Sequence, residues 1–184
     1  MSVVVSDTSP LHYLILCGAE TILPRLFRQV VIPPTVFREL QQPNTPPLVR
    51  QWARSLPAWI AVQTPKTLNL SLGVDAGELE AICLAQEIKA DAVLMDDRAG
   101  RNAAIHCGLA VVGTIGLLEQ AAVRGLIELP QAMERLRQTN ARLDAELIYA
   151  PLNGTKSGSK RSSRRSPVAA KTRSGRAELP CALK

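Results

Sequence analysis

Short β-branched apolar runs alternate along this chain with longer stretches in which apolar residues recur at helical spacing. Residues 2–6 (Ser-Val-Val-Val-Ser) form the first run, and Asp7-Thr8-Ser9-Pro10 follows it, a cap-then-proline pattern that starts a helix. That helix runs through 11–16 and stops at Gly18, and a second short helix covers about 20–27. Residues 29–32 read as a buried strand ended by Pro33-Pro34, after which Thr35 opens another helix with Glu39 one turn in. Past the proline-rich stretch 41–47, a helix is expected over 48–56 and a short strand over 59–62. Asp75-Ala76-Gly77-Glu78 begins the strongest helical pattern, with Leu79, Ile82, Cys83 and Ala85 on one stripe. The strand 92–95 then runs into Asp96-Asp97-Arg98 and a helix reaching about Cys107. A strand over 109–112, a helix over 115–123 capped by Thr114, and an amphipathic helix over 130–142 complete the pattern.

Strands alternating with helices in this way specify an α/β fold with a central, mainly parallel sheet flanked by helices and joined by right-handed crossovers. In such a sheet the ligand crevice lies at the carboxyl ends of the strands. Asp7 and the pair Asp96-Asp97 stand at those ends, and Glu39 and Glu78 sit on helices between them. Carboxylates gathered in one place repel unless a cation neutralises them, and an all-oxygen site suits Mg²⁺ or Mn²⁺. The pattern therefore points to metal-dependent phosphodiester hydrolysis, in which a bound ion lowers the pKa of the attacking water and stabilises charge on the phosphoryl oxygens.

The candidate catalytic residues are Asp7, Glu39, Glu78, Asp96 and Asp97, with Asp7 and Asp97 expected as direct metal ligands and Asp96 and Glu78 as further ones. Each has a plainer reading. Asp7 can cap the helix after it, Glu78 can be an ordinary first-turn acid, Asp75 can be an N-cap, and one of Asp96 and Asp97 can cap the next helix. Thr8 and Ser9 at a helix N-terminus are suited to phosphate, and Arg98 and Arg101 either bind phosphate or balance the acids. His12 lies on an otherwise apolar face and reads as a packed residue, not a catalyst. Leu11, Leu14, Ile15 and Leu26 form an amphipathic face that serves either the core or a homodimer.

Composition changes this picture mainly at one end. The 184 residues are 46% apolar, enough for one domain of ordinary size. Residues 1–150 hold 13 Lys and Arg against 15 Asp and Glu, a net of −2, whereas 151–184 hold 9 against 1, a net of +8. The domain is thus placed at 1–150, and 151–184 reads as a disordered Lys/Arg/Ser-rich tail able to neutralise phosphates. Cys17, Cys83, Cys107 and Cys181 show no metal-binding spacing, which argues against a zinc site and a disulfide framework, and the three inner ones, on apolar helical faces, read as small hydrophobes. No apolar run approaches the roughly 18 residues of a membrane span, and the first residues lack a basic leader pattern, so a cytoplasmic location is expected.

Four motifs in order carry a family resemblance. Asp7-Thr8-Ser9-Pro10-Leu11, then Val31-Ile32-Pro33-Pro34 with Glu39, then Asp75-Ala76-Gly77-Glu78-Leu79-Glu80-Ala81-Ile82, then Met95-Asp96-Asp97-Arg98-Ala99-Gly100-Arg101 together resemble the PIN domain, especially its VapC-like subgroup. The resemblance covers about residues 2–127. It implies a PIN-like three-layer fold and a Mg²⁺- or Mn²⁺-dependent ribonuclease. Such an enzyme is often the toxin of a type II toxin–antitoxin pair, with RNA as substrate, an antitoxin protein as partner and a homodimer as the assembly. Motif by motif, the family's acids fall on Asp7, Glu39, Glu78 and either Asp96 or Asp97. The chain departs from the common pattern in having Met95 where many PIN domains have Thr or Ser, and Glu78 where the third acid is commonly Asp, with Asp75 a competing position. The alternative function is a PIN-like module that binds RNA or protein without cutting. A receiver or haloacid-type phosphotransferase fits less well, because Ser9 stands where the latter needs its second Asp.

Overall fold

The structure is a computed structural model that describes residues 2–139. The basic tail, Cys181 and the last residues of the helix expected over 130–142 lie outside the described residues. Five strands, β1 (Val3–Ser6), β2 (Gln29–Ile32), β3 (Ile60–Val62), β4 (Ala92–Leu94) and β5 (Val111–Val112), form one sheet in the order β3-β2-β1-β4-β5. All four pairings are parallel, with Val4 opposite Val30 and Val5 opposite Val93. The chain builds outward from β1 to β3 on one side and then crosses back to place β4 on the other side of β1. The order thus reverses between β1 and β4, which is where an open parallel sheet leaves its crevice.

The helices are α1 (Thr8–Leu16), α2 (Leu23–Leu26), α3 (Pro34–Glu39), α4 (Pro47–Ala53), α5 (Ala76–Glu87), α6 (Arg98–His106), α7 (Thr114–Val123) and α8 (Leu129–Arg137). Because strand side chains alternate between faces, the buried runs of β1, β2 and β4 feed two separate cores. Val4, Val30, Ile32, Ala92 and Leu94 pack with α1, α2, α4, α7 and α8, whereas Val5, Val31, Val93 and Met95 pack with α5 and α6. The result is the three-layer α/β arrangement expected of a PIN-like fold.

Three local expectations change. The helix expected over 20–27 is a 3-10 turn at Glu20–Ile22 followed by the four-residue α2. Thr114 does not cap α7: Gly113 occupies the N-cap position, and the Thr114 hydroxyl turns away to an acid described below. The face considered for a homodimer belongs to the chain's own core, since Leu11 and Leu14 are fully buried and Ile15 and Leu26 nearly so. His12 is partly buried against Tyr13, with ring centroids 5.5 Å apart, and burial lowers its pKa. Among the described residues no helix is long and apolar enough to cross a membrane.

Candidate active site

Asp7 leaves the end of β1 and its amide donates to the Leu94 carbonyl at 2.9 Å, which pins the first candidate acid to the end of β4. It stands at the N-cap position of α1 yet makes no capping hydrogen bond through its side chain. Only 5% of the residue is exposed. Burial raises its pKa to about 7; the amides of Thr8 and Ser9 oppose the rise, while the negative charges of Asp75 and Glu39 add to it. A buried carboxyl whose pKa is raised among other acids is a candidate for chemistry.

Glu39 reaches the same place from the last turn of α3. The Thr8 hydroxyl donates to Glu39 Oε2, and the Thr45 hydroxyl holds the Glu39 carbonyl at 2.8 Å. Where Asp7 and Glu39 meet is defined by Gly77 in the first turn of α5. A methyl group on the Gly77 Cα would stand 3.0 Å from Glu39 Oε1, 3.1 Å from Glu39 Oε2 and 3.4 Å from Asp7 Oδ1. Both carboxylates therefore crowd one point. The pairing of α3 with α5 that allows this is fixed by Glu80, whose two oxygens accept the Thr35 amide at 3.0 Å and the Thr35 hydroxyl at 2.7 Å.

Glu78 is the third acid of the group and is 4% exposed. Asp75 and Glu78 form a capping box at the start of α5: Glu78 N donates to Asp75 Oδ1 at 2.9 Å and Asp75 N donates to Glu78 Oε2 at 3.3 Å. The N-cap reading of Asp75 and the first-turn reading of Glu78 thus both hold. Even so, the pKa of Glu78 is raised to about 7, by burial first and then by the charges of Asp75, Asp97 and Asp7. Its other face abuts Gly100 of α6, where an added methyl would lie 2.7 Å from Glu78 Oε1.

The two acids after β4 are occupied differently. Asp97 is the N-cap of α6, and its Oδ1 accepts the Ala99 amide at 2.7 Å and the Gly100 amide at 3.2 Å. It is exposed and faces Glu78 electrostatically. Asp96 turns toward α7, where Oδ1 accepts the Thr114 amide at 2.7 Å and Oδ2 the Thr114 hydroxyl at 2.6 Å. Burial raises its pKa, opposed by those two hydrogen bonds and by Arg101. Arg101 itself donates to the Met95 carbonyl at 2.8 Å, so it braces the strand end. The structure brings Asp7, Glu39 and Glu78 together, with Asp97 at their edge and Asp96 committed to the neighbouring helix.

Sequence reasoning missed Gly77, Gly100, Thr114 as a partner of Asp96, and the Thr35–Glu80 tie. The first had a signal: glycine in the first turn of the strongest helix runs against helix propensity and asks for a reason. Thr35 and Glu80 are 45 positions apart, and nothing local links them.

The family model DUF3368, described as a PIN domain, matches residues 3–157. The chain belongs to the PIN domain family. PIN domains are a nuclease-type family that typically uses divalent metal ions. Among solved structures, the chain resembles a PilT N-terminus domain protein from the hyperthermophilic archaeon Sulfolobus solfataricus, at 16% identity and a TM-score of 0.47, covering 66% of this chain and 93% of that one. No curated protein sequence matches the chain.

The side chains of this PIN domain fit a hard divalent ion by their chemistry. The converging donors are all carboxylate oxygens, and the raised pKa values of Asp7 and Glu78 register the mutual repulsion and desolvation that a cation would relieve. Among the described residues no three His, Cys, Asp or Glu side chains close into a ready-made cage. Mg²⁺ does not need one, because it retains several waters and binds through one or two carboxylates.

Proposed function

We propose that this PIN domain is a Mg²⁺- or Mn²⁺-dependent endoribonuclease that acts as the toxin of a type II toxin–antitoxin pair. The observation that carries the reading is the meeting of the Asp7 and Glu39 carboxylates at Gly77, beside the buried Glu78, in the crevice where the strand order reverses. Helix capping by Asp7 does not account for it, because a cap needs no second carboxylate beside it. The cost of burying like charges is retained in the fold, which is the mark of a functional site.

Asp7 and Glu39, with Glu78 beside them, would hold the ion. When bound, it would supply Lewis-acid stabilisation of the phosphoryl oxygens and activation of water. The protein's own contribution is placement. The Thr8 hydroxyl orients Glu39, the Leu94 carbonyl fixes the Asp7 backbone, and Arg101 with Thr114 holds the loop after β4 so that Asp97 stays at the rim. RNA is the substrate in this reading, the basic residues of 151–184 supply sequence-independent affinity for it, and an antitoxin protein restrains the activity. A homodimer, implied by the family resemblance, would use surfaces other than the buried face of α1.

The test is cleavage of a pool of structured RNAs by the purified full chain, freed of co-purifying protein, in Mg²⁺, Mn²⁺ or EDTA, with Asp7→Asn in parallel. Cleavage that needs metal and falls at least about 100-fold in Asp7→Asn is the expected result. Absence of cleavage with either metal, or equal cleavage by the variant, would replace the enzyme by a PIN-like binding module. The toxin role has its own check: induced expression should arrest growth, and co-expression of a short neighbouring reading frame should relieve it.

A further inference from the structure

Gly77 has no conformational reason to be glycine. It is the second residue of α5, and it is absent from the glycines of the described residues with positive φ, so alanine would fit the backbone and form helix more readily. What a side chain there meets first is the pair of acids: the three nearest atoms to an added Cβ are Glu39 Oε1, Glu39 Oε2 and Asp7 Oδ1, at 3.0 to 3.4 Å. Gly100 is a useful contrast. Its added Cβ would strike Met95 Sδ at 2.5 Å and Glu78 at 2.7 Å, both buried, so Gly100 is required by packing as well.

Glu39 cannot step aside freely. Thr8 holds its Oε2, Thr45 its carbonyl, and the Thr35–Glu80 tie holds its helix on α5. Arg38 donates to the Thr35 hydroxyl at 2.6 Å and extends that tie. A methyl group at position 77 would therefore push the Glu39 carboxylate a few tenths of an ångström off its position and place apolar surface where the two acids meet.

We propose that Gly77 is a positioning residue for divalent-cation binding: its missing Cβ is the space in which the Asp7 and Glu39 carboxylates come together. This deepens the metal-site reading above and rests on it. The geometry yields an unusual signature, in which one substitution leaves the fold intact or firmer and weakens metal binding. It also yields a rescue, because Glu39→Asp withdraws the displaced carboxylate by one methylene.

The experiment is calorimetric titration of Mn²⁺ into the full chain, alongside thermal melting without metal, for the natural protein, Gly77→Ala, Glu39→Asp and the double variant. Gly77→Ala should melt no lower than the natural protein without metal and bind Mn²⁺ about tenfold or more weakly, the loss usual when the surroundings of a metal ligand are disturbed. The double variant should bind Mn²⁺ more tightly than Gly77→Ala alone, whereas Glu39→Asp by itself should weaken binding. Unchanged Mn²⁺ affinity in Gly77→Ala, or a double variant no better than the single one, would overturn the role of Gly77 and leave the metal site standing. No Mn²⁺ binding by the natural protein would remove the metal site and Gly77's role together. Unfolding of both Gly77→Ala and the double variant would make Gly77 a requirement of the fold and would also overturn the proposal.

Discussion

Asp7 is a carboxyl group held where its charge is disfavoured, and this has a measurable thermodynamic consequence. Its folded-state pKa of about 7 lies above the ordinary value of 3.8, and Glu78 behaves alike, rising from 4.5 to about 7. Between those values the unfolded chain releases protons that the folded chain retains, so stability falls as pH rises. Below about pH 4 both states of these two groups are protonated, and above about 7 both are ionised, so these two groups add no slope outside that window. A tenfold change in proton affinity is worth about 1.4 kcal/mol, so the buried Asp7 carries a change on the order of 4 kcal/mol across the whole window. Urea unfolding of EDTA-treated protein should show lower stability at pH 8 than at pH 5, and Asp7→Asn should remove much of the difference. Metal affinity has the opposite slope, since the ligands must lose their protons, and Mn²⁺ should stabilise the protein more at pH 8 than at pH 6. A flat profile without metal would mean that these carboxyls are better solvated than their burial implies.

Among the elements, α3, α5 and the loop after β4 decide which acids meet. The loop is anchored by Asp96, whose two oxygens take the Thr114 amide and hydroxyl, while Arg101 closes on the Met95 carbonyl. This tie serves architecture: it joins the end of β4 to the start of α7. Thr114→Val keeps the shape and removes one donor to a largely buried carboxylate, so it should cost about 1 to 3 kcal/mol in urea unfolding. Mn²⁺ affinity should stay within about twofold, because the substitution touches neither Asp7 nor Glu39. A large loss of Mn²⁺ affinity with unchanged stability would instead place Asp96 among the ligands.

At the scale of the molecule, the difficulty is electrostatic. A site built from carboxylates, in a segment carrying a net of −2 over 1–150, has to meet a polyanion. The net of +8 over 151–184 offsets this in the same chain. Replacing Lys160, Arg161, Arg164 and Arg165 by Gln in the full chain should weaken binding to unrelated RNAs by similar factors. It should also flatten the dependence of log K on log salt by up to roughly 0.7 for each phosphate that is no longer neutralised. If the salt slope does not change, the phosphates are met by basic residues of the folded domain.

Hydrophobic periodicity is a local property, and it settled a large part of this protein before any contact was known. The five strands, their helical connections and the position of Asp7 at the end of β1 follow from short β-branched runs, proline and cap signals, and helical spacing. The general rule that parallel sheets open at their carboxyl ends then gathered the acids at one edge. Side-chain destinations were beyond it. Asp96 and Asp97 are adjacent and chemically equivalent, and only the packing of α7 against the loop sends one to Thr114 while the other caps α6. Leu11 and Leu14 look alike whether they line a core or an interface, since an apolar stripe does not say what covers it. Glu39 meets Asp7 over Gly77 because Thr35 and Glu80, far apart in the chain, hold α3 on α5. Periodicity is set by neighbours along the backbone, whereas a carboxylate pair is set by the crossing of two helices, and that crossing exists only after the chain has folded.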